Sequence, residues 1–120
     1  MNKYTELSDF EINKKVANHY LPCDYNLNEH TKTVELIGFL GDTDEYNAYG
    51  LFAPCNNPSD AWQLLLDAKL SIHPDFHNDC QSWVARNVHI PMVNETNLAR
   101  AISIAYLLFK DADNENNNNC

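Results

Sequence analysis

Glycine is scarce: only Gly38, Gly41 and Gly50 occur in 120 residues. Little is therefore available for a loop that wraps a phosphate, and no GxGxxG, P-loop or GxSxG pattern is present. Basic side chains are also few, eight Lys and Arg against seventeen Asp and Glu, for a formal net charge of −9. Such a chain gains nothing from phosphate backbones and is repelled by anionic membranes, so neither is an expected partner. Long apolar runs are missing too. None approaches the ~20 residues of a membrane span. The opening MNKYTELSDFEINKK has no apolar stretch of the secretory kind, so a cytoplasmic protein is expected. No CxxC pair exists among Cys23, Cys55, Cys80 and Cys120. Their wide, irregular spacing argues against a disulfide framework and for free thiols.

What is present suffices for one domain. An apolar fraction of 44% is ordinary for a globular protein. At this length folding buries roughly two-thirds of the surface, so no staple or metal is required. We expect a single domain over residues 1–110 and a disordered polar tail over 111–120, DADNENNNNC, whose composition cannot bury a core.

The punctuation places three helices. Ser8 is a good N-cap and Glu11 completes a capping box, opening a helix with the stripe Ile12, Val16, Tyr20 that Pro22 stops. Asn57 can cap a second helix with Pro58 at its first position, where a missing N–H costs nothing. Its core stripe is Ala61, Leu64, Leu65 and Ala68. A third helix spans 96–110 with Leu98, Ala101, Ile102, Ala105, Leu108 and Phe109 on one face, widened by Ile104 and Leu107. Strands are expected at 31–40, 46–52, 70–73 and 81–90. Both Trp62 and Trp83 are expected in the core. The elements do not alternate strictly, so the expected fold is α+β: a small antiparallel or mixed sheet covered by about three helices, an αβα sandwich.

Three ordered segments, LSDFEINKKVA, CNNPSDAWQLLLDAKLSI and NLARAISIAYLLF, together resemble the NinX-type family of small phage and prophage proteins. More distantly they resemble the phage αβα-sandwich domain. The matching residues are Leu7, Asn13, Val16 and Ala17; Pro58, Ser59, Asp60, Ala61 and Trp62; Ile72 and Trp83; and Asn97, Leu98, Arg100 and Ala101. The segment PDFHNDC and residues 86–93 do not follow the pattern. The resemblance implies phage origin and a fold, and it carries no catalytic motif.

Candidate chemistry is thin. His73, His77 and Cys80, with Asp75 and Asp79 between, are competent Zn²⁺ ligands, but Pro74 spoils the helix their spacing would need. No metal and no cofactor is expected. A Cys–His nucleophile has nothing to mark it, although Cys55 precedes a helix start, which lowers a thiol pKa. Asp42, Asp44 and Glu45 read as a solvated turn that can also serve an acidic face. Arg86 and Arg100 are the only arginines, each suited to an anionic ligand or to a structural ion pair.

The expected function is therefore non-enzymatic: a phage accessory protein that binds a host or phage protein. An acidic face that imitates DNA, used in counter-defence, is one mechanism. Gathering of the 42–45 turn with Glu29, Glu35 and Asp24 would favour it. The alternative is an oligomer that sequesters a small nucleotide-type ligand, favoured if Arg86 or Arg100 converges with Trp83 or Tyr46.

Overall fold

The computed structural model describes residues 2–21, 24–39 and 45–118, except the side chains of Phe39, Tyr46, Asn78 and residues 114–118. The chain runs through α1 (Asp9–Tyr20), β1 (Tyr25–Asn28), β2 (Thr33–Phe39), β3 (Tyr46–Leu51), α2 (Pro58–Ala68), β4 (Ser71–Pro74), a short 3₁₀ turn (Phe76–Asn78), β5 (Trp83–Arg86), β6 (Val93–Glu95) and α3 (Leu98–Asn118). The fold is α+β, as expected. The single expected sheet is instead two three-stranded antiparallel sheets, ordered β1-β2-β3 and β4-β5-β6. In each, consecutive strands pair as neighbours, and α2 carries the chain from one sheet to the other.

Local chemistry sets the helix starts. The Ser8 hydroxyl accepts from Glu11 N–H, and Asn57 accepts from Ser59 N–H with Pro58 at the first helical position. Asn97 caps α3 by accepting from the N–H groups of Ala99 and Arg100. Each cap satisfies a donor that the helix itself leaves unpaired. At its other end α2 stops on Lys69, whose left-handed φ of 54° turns the chain into β4.

The third helix is the centre of the molecule. It packs against α1, α2, β5 and β6. From Ala101 to Leu107 every side chain is buried, which removes any solvent face there. Ser103 fits because its hydroxyl bonds the Ala99 carbonyl one turn back. Past the expected end at 110, α3 continues to Asn118. No Gly or Pro follows Lys110 to stop it.

Two strands were not evident in the sequence. β1, YNLN, lacks an apolar run, and its register is fixed by side chains: Asn26 and Asn28 both donate to Glu35 on β2. β6 is only three residues long and pairs with β5. The expected 81–90 strand shortens to 83–86 because residues 87–90 form a turn, Ile90 N–H donating to the Asn87 carbonyl. Pro74 is tolerated because β4 is an edge strand.

Candidate functional site: an apolar pocket beside Trp62

Polar residues that carry the family resemblance meet where the three helices begin. The Arg100 guanidinium, only 14% exposed, donates to Asp9 at 2.6 Å, to Glu95 at 2.9 Å, and to the carbonyls of Thr5 and Leu7. Burial pulls the Arg100 pKa down, but the Asp9 hydrogen bond and the Glu95 charge outweigh it and raise the net value. Asn13 accepts from Cys55 N–H, and Asn97 donates to the Cys55 carbonyl. Asp60 accepts from Ala53 N–H. These groups tie residues 5–9, 53–60 and 95–100 together. Four of the five guanidinium N–H groups are engaged in this way, so Arg100 serves as a structural ion pair.

The apolar members of the same motif line a pocket next to this junction. Pro58, Ala61 and Trp62 of α2, Ile72 of β4, and Leu98 and Ile102 of α3 enclose about 210 Å³. Asn56 and Asn97 close its polar edge. The volume matches one large apolar side chain rather than a whole cofactor. Trp62 stands at the rim and is 52% exposed, and Leu66, one turn along α2, is 53% exposed. The core placement expected for Trp62 is thus overturned: at its position the α2 stripe Ala61, Leu64 and Ala68 already fills the interior, and the indole falls one step off that stripe. Trp83 is corrected as well. It shares a face with buried Ala85 but lies at the start of β5, opposite Pro74, where the core ends and 36% of it meets solvent.

The remaining sequence-derived candidates are scattered. Arg86 lines an open groove with Lys69 and His89, and neither Arg100 nor Trp83 is among the residues lining it. Asp42 and Asp44 lie outside the described residues, as does the Tyr46 side chain, while Glu45 is exposed. Glu29 sits between Lys14 and Lys32, and Glu35 is held by Asn26 and Asn28. His73, His77 and Cys80 do not gather: among the described residues no three His, Cys, Asp or Glu side chains group to hold a metal ion. His73 stacks on Phe76 and bonds the Pro74 carbonyl. Asp75, buried, instead organises the 75–82 loop, accepting from His77 N–H, Ser82 Oγ and Asn94 Nδ2. Burial pushes the Cys55 thiol up to about 12, the opposite of an activated nucleophile.

Sequence reasoning missed the pocket. Trp62 beside the apolar stripe was a usable signal, but which way the indole turns depends on how α2 and α3 pack. Among the described residues no helix is long and apolar enough to cross a membrane.

No curated protein and no solved structure matches this chain. The family described as "Bacteriophage P22, NinX" matches residues 3–110, nearly the whole of the helices and sheets described above, and the chain belongs to that family of phage proteins.

Proposed function

We propose that this phage accessory protein works without catalysis, by binding a host or phage protein whose apolar side chain enters the pocket beside Trp62. The observation that carries the reading is the exposure of Trp62 and Leu66 on one face of α2, next to a cavity sized for one side chain. Tryptophan set against a pocket is the typical composition of an interface hot spot. A lone exposed aromatic needs no explanation, whereas an aromatic, an aliphatic neighbour and a cavity together form an anchor site.

Charge adds direction. With a net charge of −9 the chain favours a partner that is basic around the docking surface. Association should then be fast at low salt and slow as salt rises. Counter-defence by an acidic, DNA-imitating face is one form of this function; Glu29 and Glu35, each engaged locally, give it less support than the apolar pocket gives protein docking.

The test is a comparison of immobilised wild type, Trp62→Ala and Leu66→Ala against lysate of the bacterial host, with and without phage. A protein retained by wild type, lost from both variants, and rebinding when purified supports the reading. Equal retention by the variants, with their melting temperatures unchanged, overturns it.

A further inference from the structure

The cations of this chain are unevenly used. Lys3 pairs with Asp111, Lys14 with Glu11 and Glu29, Lys32 with Glu29, Arg100 with Asp9 and Glu95, and Lys110 with Asp67. Among the described residues that leaves Lys15, Lys69 and Arg86 without a carboxylate partner. In a chain with twice as many acids as bases, unpaired cations are the exception. Two of the three line the same groove.

That groove holds about 700 Å³, and hydrogen bonds hold the backbone along one of its sides. Arg86 is the register partner of Ser71 across β4 and β5. The Asn87 amide donates to the Ala68 carbonyl and accepts from His89 N–H, fixing the 87–90 turn against the end of α2. Lys69 leaves α2 in the left-handed conformation beside it. Phe109 of α3 lines the groove, with the Lys110 ammonium 5.8 Å from its ring centre, so one side of the ring is taken and a ligand ring would use the other. Asp67 is the carboxylate of the lining, and Lys110 at 3.8 Å already offsets it. The other large lysine-lined groove, around Lys3, Lys14 and Lys15, differs in that Glu11 and Asp111 there neutralise two of its three cations.

From this arrangement we infer that the Lys69–Arg86 groove binds a mononucleotide, its phosphate on Lys69 and Arg86 and its ring on Phe109. Arg is the side chain best matched to phosphate oxygens, through two parallel N–H groups. The volume lies in the range of small-ligand sites. The overall charge decides between a monomer and a polymer: a field of nine negative charges repels a polyanion along its length, while a single phosphate needs only the local cations. The site is separate from the Trp62 pocket and does not depend on it.

The experiment titrates the full chain at low ionic strength with the four ribonucleoside monophosphates, inorganic phosphate and the corresponding nucleosides, by calorimetry. At least one monophosphate is expected to bind, with phosphate and its nucleoside each about tenfold weaker or more, the loss of one charged hydrogen bond or one ring contact. Arg86→Ala and Lys69→Gly, both at exposed positions, should each weaken binding by about the same factor. Lys15→Ala removes the same charge elsewhere and should leave it unchanged. Four results overturn the inference: no monophosphate binding at millimolar concentration; phosphate alone binding as tightly as the nucleotides; Lys15→Ala weakening binding as much as Arg86→Ala; or Arg86→Ala and Lys69→Gly lowering only the melting temperature, which would assign these cations to the carbonyl end of α2.

Discussion

Arg100 Nη1 lies 2.6 Å from Asp9 Oδ1 across 91 residues of sequence, and this contact closes the junction where the three helices start. The same guanidinium reaches Glu95 and two carbonyls, so its planar fork is used on several sides at once. Lysine, a single ammonium, cannot replace that geometry. Arg100→Lys should therefore destabilise the fold by about 2–3 kcal/mol, and Arg100→Met by more, because each strands buried or half-buried acceptors. Urea denaturation checks this. A change within about 0.5 kcal/mol, the range of an ordinary surface substitution, would show that the junction is held by packing alone.

The two faces of α2 should respond differently to truncation. Leu64 is fully buried, so Leu64→Ala should cost about 2–5 kcal/mol through lost burial and a residual cavity. Trp62→Ala, on the open face, should cost under about 1 kcal/mol despite the larger side chain removed. Acrylamide quenching of the wild-type protein should reach both tryptophans. If Trp62→Ala unfolds the protein, the indole is a core residue and the docking surface does not exist.

Cysteine reactivity offers a second measure of the interior. Cys55 is buried, its thiol pushed from 9.0 up to about 12 by desolvation, whereas Cys80 is exposed. At neutral pH iodoacetamide should modify Cys80 within minutes and leave Cys55 intact until denaturant is added. Peptide mass spectrometry distinguishes the two. Equal labelling of both under native conditions would mean that the segment between β3 and α2 opens readily.

At the far end of α3, the Tyr4 hydroxyl donates to Asp111 at 2.5 Å. Truncation after Lys110 removes that acceptor and should cost on the order of 1–2 kcal/mol. Truncation after Asp113 retains it and should cost little, in keeping with a dispensable polar tail. Equal melting temperatures for the two truncations would leave the Tyr4 contact without energetic weight.

The same contact predicts a pH dependence. Burial, with the Asp111 hydrogen bond and charge added, raises the folded pKa of Tyr4 above its ordinary 10.0. Tyr106 shifts the same way by burial and by Asp67. A phenol whose folded value is raised contributes stability that is complete below the unfolded value and is lost as pH climbs through the window above it. Cys55 has the same sign over its window from 9.0 to about 12. Urea midpoints should fall as pH rises above about 9, and Tyr4→Phe should lose less than wild type above about pH 10. Parallel curves for the two proteins would refute the Tyr4 part.

Local pattern in the sequence placed the three helices, the caps of the first two and most of the core stripes, but not the cap or the far end of α3. Ser8 and Asn57 act over two or three residues, and Ile12 and Val16, Ala61, Leu64 and Ala68, and Ala101, Ile102 and Ala105 each repeat with the helical period, so local pattern was enough. The ordered motif also pointed to the family: its polar members build the helix junction and most of its apolar ones line the pocket beside it. Long-range packing set the remainder. β1 and β6 are four and three residues long, and their pairing depends on Glu35 and on β5 rather than on any pattern of their own. The division into two sheets follows from where α2 docks. Whether Trp62 points into the core or stands at a pocket rim, and whether Arg86 and Arg100 meet a carboxylate or a groove, depends on partners far away in sequence. Side-chain period records which face of a helix is apolar; only packing between helices records how much of that face another element covers.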